Sequence, residues 1–238
     1  ASGGSDVVAM KMHATKVEGG YRLEGEKTWI TSATAADVFV VFAKTDASAG
    51  HRGLSAFVVP RSAQNLTIGA AEALLGLRAS PVATVTCTGT FVPDEFLLGS
   101  EGDGFKLAMA AMDHARVVIA SCALGAAGKA VEAAVEYARN RQQFGKPIIE
   151  HQGLGFLLAD LVTGLAECRA LVANAVVEVE AGDPRRTGLY AAMAKKASSD
   201  FAMRAAIDAA QVLGAIGLSK AYPVERLIRD CKALQIFE

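Results

Sequence analysis

The 238-residue chain has almost no net charge: 24 lysines and arginines stand against 25 aspartates and glutamates, leaving −1 with histidine neutral. Nucleic-acid binding calls for a basic face, so that balance argues against nucleic acid as the main partner. Apolar runs are short and broken by charges, so no membrane span is expected. No charged-then-apolar leader opens the sequence, so no secretory signal is expected. Cysteine is sparse and scattered: Cys87, Cys122, Cys168 and Cys231 make no C-x-x-C pair and no metal spacing. Packed thiols in a reducing compartment are the simplest account. His13, His51, His114 and His151 also lack ligand spacing, so no metal is expected. Walker and G-x-G-x-x-G motifs are missing, and so is any internal repeat.

Hydrophobic residues are abundant, at 52%, enough for one large or two smaller domains. The composition changes near Gly99. Before it, β-branched runs alternate with turn residues. Strands are expected over Val7–Lys16, Tyr21–Thr31, Val38–Ala43, Leu54–Pro60, Leu66–Gly69 and Val82–Phe91. Alternation through Tyr21 and Leu23, and through Val85, Cys87, Gly89 and Phe91, gives those strands one wet face. After Gly99 the period lengthens to that of helices. One is expected from Phe105 to Arg139, a second over about Glu150–Ala181, a third over about Thr187–Val212, and a fourth after Pro223. The third should bury Met193, Ala197, Phe201, Ala205 and Ala209. The fold class is therefore α+β: a small β-barrel or sandwich over 1–98, then an antiparallel four-helix bundle over 99–238.

Some residues carry possible chemistry on their own account. Glu238 follows Ile236 and Phe237 at the end of the last helix. A carboxylate there could act as a base or be an ordinary solvated glutamate. Trp29, the one tryptophan, stands in Gly25-Glu-Lys-Thr-Trp-Ile-Thr-Ser32; its flat ring suits stacking on a ligand or packing in the second strand. Asp113 and Arg116 are three apart and can brace each other on one helical face. Arg141, Gln143 and Phe144 precede Gly145. They read as a phosphate-and-ring site or as a positively charged helix end. Ala1-Ser-Gly-Gly-Ser-Asp6 could present backbone N–H groups to an anion or be a flexible turn.

Taken together, these strings resemble the acyl-CoA dehydrogenase family over essentially the whole chain. YPVERLIRDCKALQIFE at 222–238 is similar to that family's YPVERL-RD-K--QIYEG, GEKTWITS at 25–32 to G-KTWITN, RNRQQFG at 139–145 to -ERKQFG, and QVLGAIG at 211–217 to Q--GG-G. LGLRAS at 75–80 resembles LG-RGS, with Pro81 next, where the loss of a backbone donor puts a polar contact in question. The resemblance implies Glu238 as the catalytic base. Relatives with the base on the first long helix carry it where Ala115 stands. It also implies FAD as cofactor, met by Ser5, Trp29, Ile30 and Thr31, while Arg141, Gln143, Phe144, Gln211 and Gly214 meet the flavin of a neighbouring subunit. Ala215, in place of a glycine, would crowd that approach. Asp113, Arg116 and Phe237 are implied at the substrate, an acyl thioester of coenzyme A or of an acyl carrier protein.

The reaction so implied is α,β-dehydrogenation, with an electron-transfer flavoprotein as acceptor, in a dimer or tetramer of the cytoplasm (or the mitochondrial matrix in a eukaryote). The family's N-terminal helical domain and the GTSEIQR segment after the glutamate are not in the sequence. A flavin monooxygenase or oxidase on the same scaffold, and a non-catalytic fragment that supplies an interface, are the alternatives.

Overall fold

The computed structural model describes Gly4 and Asp6–Glu238. It divides into two compact units: one runs up to Leu74 and resumes over Arg78–Ala110, and the other takes Leu75–Leu77 and Ala111–Glu238.

The first unit is a mixed seven-stranded sheet. Its strands are β1 (His13–Val17), β2 (Gly20–Thr31), β3 (Val38–Lys44), β4 (Leu54–Pro60), β5 (Leu66–Ile68), β6 (Val82–Pro93) and β7 (Leu97–Leu98). The order is β5-β6-β2-β1-β3-β4-β7, an open ladder with β5 and β7 at its edges. The pairs are antiparallel except β1 with β3. Met12, Tyr21, Leu23, Phe39, Val41, Phe57, Val59, Val85, Cys87 and Val92 form its core. The first strand starts later than its apolar run suggests. Val7–Ala9 is a 3₁₀ turn, because Asp6 caps it by accepting from the Ala9 N–H at 3.1 Å.

The expected alternation along β6 fails after Cys87. Leu23 pairs with Thr90 and Glu24 with Thr88, so Gly89 is an unpaired bulge residue at φ +77°. The extra residue inverts the pleat: Thr90 and Val92 turn inward and Phe91 is exposed.

The second unit is built on α1 (Gly104–Asn140) from Ala111 onward, α2 (Gln152–Ala181), α3 (Pro184–Leu213) and α4 (Val224–Ile236), with a short hairpin of β8 (Gln142–Gln143) and β9 (Lys146–Pro147). Gly182 ends α2 in the left-handed region. Asp183 then caps α3, accepting from the Arg185 N–H at 2.9 Å, with Pro184 at the first position. The core is rich in alanine: Ala123, Ala127, Ala130 and Ala134 of α1 meet Leu158, Leu161 and Leu165 of α2 and Ala202, Ala205 and Ala209 of α3. Val224, Leu227, Cys231 and Leu234 of α4 are buried at the predicted three- and four-residue steps. Each large apolar side chain buried there contributes about 1.5–3 kcal/mol. On α3, Phe201, Ala205 and Ala209 are buried as expected, but Met193 is exposed and Ala191, Ala194 and Ser198 face inward.

By length and composition, α1 and the stretch Pro184–Leu218 are apolar enough to cross a membrane. The expectation drawn from short apolar runs is corrected to that extent. Alanine supplies the hydropathy, and in the bundle it is the alanine stripes that are packed inward.

Candidate functional site

In the β unit, the chain around Trp29 departs from regular pleating. The β2–β6 register slips between Lys27, opposite Val85, and Ile30, opposite Ala83. Trp29 sits in that irregularity at φ +61°, and Ser32 follows at φ +59°. Left-handed backbone at a bulky residue costs roughly 1–3 kcal/mol and persists where the surroundings hold it. The result is an indole 63% exposed. Thr31, two residues on, is also exposed, and two residues is the spacing that puts side chains on one face of a strand. Ile30 turns the other way and packs against the β core, which leaves its backbone for any ligand. Pro81 has no N–H to donate, and its carbonyl accepts from the Ser32 N–H at 2.7 Å. Beneath the bulge, Lys27 Nζ lies 3.3 Å from Met10 Sδ, and burial lowers its pKa. Ser5 lies outside the described residues.

In the helical unit, the end of α4 meets the first part of α1. Arg116 Nη1 donates to Asp113 Oδ1 at 2.8 Å, the brace that their spacing predicts. Arg116 Nε donates to the main-chain oxygen of Glu238 at 3.5 Å. Phe237 ends the helix in extended backbone and Glu238 follows at φ +70°. No acceptor lies on the Glu238 N–H among the described residues. Ala115 is on α1 between the two bracing residues and offers no titrating group.

Lys195 on α3 is only 8% exposed. Burial pushes its ammonium below the ordinary value; Glu238 acts against that shift, Arg116 adds to it, and Asp200 opposes it. Sequence reasoning passed over Lys195. The legible signal was its register: it lies four residues after Ala191 and three before Ser198, both buried.

The hairpin after α1 forms a second cluster. Phe144 and Gly145 have φ values of +53° and +78°, the left-handed pair of a type I′ turn. Phenylalanine is unusual at such a position, and its ring is 94% exposed, touched edge-on by His151 at 5.9 Å. Arg141 and Gln143 are exposed beside it. Gln211 is exposed on the last turn of α3, and Gly214 caps that helix at φ +67°. α1 and α3 run parallel: Asp113 packs over Gly188, and further along Val117 and Ala120 meet Ala191 and Ala194. Their C-terminal ends therefore coincide, and Tyr137 near the end of α1 meets Tyr222 at 5.8 Å. The structure thus brings Asp113, Arg116 and Glu238 together. It sets Arg141, Gln143, Phe144, Gln211 and Gly214 at another end of the bundle, about 36 Å further along α1 at 1.5 Å per residue.

One sequence string has a structural use that its residues did not announce. Leu75-Gly76-Leu77 docks on α4: the Leu77 N–H donates to Asp230 Oδ1 at 2.7 Å, and Arg229 Nη1 donates to the Leu75 carbonyl at 3.3 Å. A Cβ on Gly76 would stand 2.2 Å from the Arg229 carbonyl oxygen, so only glycine fits.

Two family profiles match the chain: "Acyl-CoA dehydrogenase, middle domain" over residues 1–90 and "Acyl-CoA dehydrogenase, C-terminal domain" over residues 102–238. The chain belongs to the acyl-CoA dehydrogenase family. An acyl-CoA dehydrogenase of Bacillus subtilis (strain 168) is 44% identical over 235 residues, which is 99% of this chain and 62% of that protein. The structure of butyryl-CoA dehydrogenase from Megasphaera elsdenii superposes with a TM-score of 0.96 at 39% identity, covering 99% of this chain and 61% of the other. A structure described as the electron transferring flavoprotein of Acidaminococcus fermentans, in work on flavin-based electron bifurcation, gives 0.96 at 40% identity, covering 99% and 62%. The chain therefore spans about three fifths of the length of the relatives it matches.

Proposed function

We propose that the protein is an FAD-dependent acyl-CoA dehydrogenase that oxidises the Cα–Cβ bond of an acyl thioester. The observation that carries the reading is the end of α4, where Glu238 emerges next to the Asp113–Arg116 brace. Residues exposed on both units fit a flavin. An uncovered indole with a hydroxyl two residues away suits a flat heteroaromatic ring with an acceptor at its edge. A cation, an amide and an exposed phenyl ring on one hairpin suit the phosphate and adenine end of a second copy of such a cofactor. Trp29, Thr31 and the backbone of Ile30, together with Ser5, would hold it in one subunit.

The separation of about 36 Å along α1 supports the assignment of Arg141, Gln143, Phe144, Gln211 and Gly214 to the flavin of a neighbouring subunit, so that the enzyme works as a dimer or tetramer. Ala215 is exposed in the 3₁₀ turn after α3, where its methyl group is free to meet that flavin.

The chain's own residues take the following parts. The Glu238 carboxylate accepts the α-proton of the thioester. Its N–H, without another acceptor among the described residues, is free to donate to the thioester oxygen as negative charge grows there. Arg116, fixed by Asp113, holds the main chain of the base and lines the approach of the thioester arm. Phe237 is partly exposed beside the base and offers an apolar wall to the acyl chain. Bound flavin supplies the acceptor for the β-hydrogen, which leaves with its electron pair. An electron-transfer flavoprotein is the onward acceptor, and coenzyme A is the thioester carrier favoured by the family.

The test is optical. The purified protein should be yellow, and short-chain acyl-CoA thioesters added under anaerobic conditions should bleach its visible band. A flavin that bleaches only with a nicotinamide reductant would point to oxygenase chemistry, and a protein without flavin would overturn the reading.

A further inference from the structure

We propose that Asp230 is a positioning residue for the base: by accepting the Leu77 N–H it fixes α4 along its length, and so sets where Glu238 stands at the helix end. Apolar packing leaves that freedom open. Val224, Leu227, Cys231 and Leu234 decide which face of α4 turns inward. Burial is non-directional, so it resists a small slide along the axis less sharply than a hydrogen bond does. Proton removal does not tolerate such a slide, since a misplacement of about 1 Å can cost roughly 10²-fold in rate.

The segment Leu75–Leu77 supplies the directional bonds. Two of opposite sense join it to consecutive residues of α4: the Leu77 N–H donates to Asp230 Oδ1 at 2.7 Å, and Arg229 Nη1 donates to the Leu75 carbonyl at 3.3 Å. A shift by one residue would turn the helix by about 100° and move it by about 1.5 Å, breaking both. Neither side of this grip is loose. Arg229 is braced by Glu225, whose carboxylate accepts from its Nε and Nη2 at 3.0 Å. Leu77 stands at φ +50° with its side chain packed against the bundle core. Left-handed backbone at a leucine persists only where the surroundings over-determine it.

The ties nearer the base are weaker holds. Gln235 of α4 donates to Asp200 of α3 at 2.8 Å, but that carboxylate is 49% exposed and shared with Lys196. Arg116 reaches the main chain of Glu238 only at 3.5 Å. The Asp230 carboxylate is 23% exposed, and its partner is a backbone N–H, which cannot swing away as a side chain can. From Asp230 the helix runs unbroken to Ile236, two residues short of Glu238, so an error at the grip is carried to the base. The assignment rests on Glu238 being the base, and the test separates the two claims.

Asp230→Ala removes the acceptor and leaves Glu238 in the chain. The variant should keep flavin, with kcat for an acyl-CoA lower by about 10–100-fold. Asp230→Asn, which keeps an oxygen at that position, should restore kcat. A second readout needs no turnover. An acyl-CoA with sulfur in place of its β-carbon has an α-proton to give and no β-hydrogen to lose. The long-wavelength absorbance of its deprotonated form beside oxidised flavin should shrink in Asp230→Ala and return in Asp230→Asn, while its dissociation constant changes less than about threefold. If Asp230→Ala does not fold, Arg229→Met, which cuts the longer of the two bonds, should show the same split with a smaller loss of kcat. A folded variant with a lower melting temperature but wild-type kcat and absorbance would overturn the proposal and leave the grip a stability device. Equal losses in Asp230→Asn and Asp230→Ala would overturn it as well. Wild-type turnover in Glu238→Gln would strike the base assignment itself, and the proposal with it.

Discussion

Single residues in this chain are set by what surrounds them more than by their type. Cys122 is exposed, while Cys87, Cys168 and Cys231 are buried. Burial raises the pKa of each of the three buried thiols, and takes Cys231 from 9.0 up to about 11, with Asp230 adding to the shift. The sign follows directly. Between those two values the unfolded chain releases a proton that the folded chain keeps, so this group's contribution to stability falls as pH rises. Denaturant midpoints should therefore drop more steeply from about pH 9 to 11 in wild type than in Cys231→Ala. A thiol reagent should label Cys122 in the folded protein and reach the other three after unfolding.

At the scale of elements, boundaries follow from capping and glycine. Gly76 is the sharpest case. Gly76→Ala forces a methyl group into the Arg229 carbonyl and strains both the Leu77–Asp230 and the Arg229–Leu75 bonds. We expect a loss of about 2–4 kcal/mol and a melting temperature lower by roughly 5–10 °C, measured by calorimetry. An unchanged melting curve would mean that the segment does not dock on α4.

Most elements were legible in the sequence because their periods are long and clean: α1, α2 and α4 end within a residue or two of their expected limits. What was not legible has local causes. The 3₁₀ turn at Val7–Ala9 depends on one cap, and the exposed Phe91 depends on one bulge residue, neither of which alters composition. The inward face of α3 was misjudged at Met193 because the larger apolar side chain was ranked above the alanines beside it, whereas Ala191 and Ala194 are the buried ones.

At the scale of the whole molecule, the candidate site was legible as motifs but not as geometry. The strings around Trp29, Phe144 and Glu238 stood out as residue types in a pattern. The sequence could not show that Trp29 and Phe144 owe their exposure to left-handed backbone, or that Arg116 reaches the main-chain oxygen of Glu238. Those facts depend on register slips and on helix rotation, which tertiary packing decides. On the proposed function, each unit would carry part of the chemistry: the β unit an aromatic platform, the bundle a base and a distant hairpin that suits a neighbour's cofactor. If that hairpin does serve a neighbour, weakening it should release flavin from an otherwise folded protein.

The central claim is that Glu238 is the group that removes the proton. The measurement that meets it most directly is anaerobic addition of an acyl-CoA to Glu238→Gln, followed by the visible flavin spectrum. The account predicts a yellow protein that binds the thioester yet stays unbleached, with a rate at least about 10³-fold below wild type. Bleaching at the wild-type rate would contradict it.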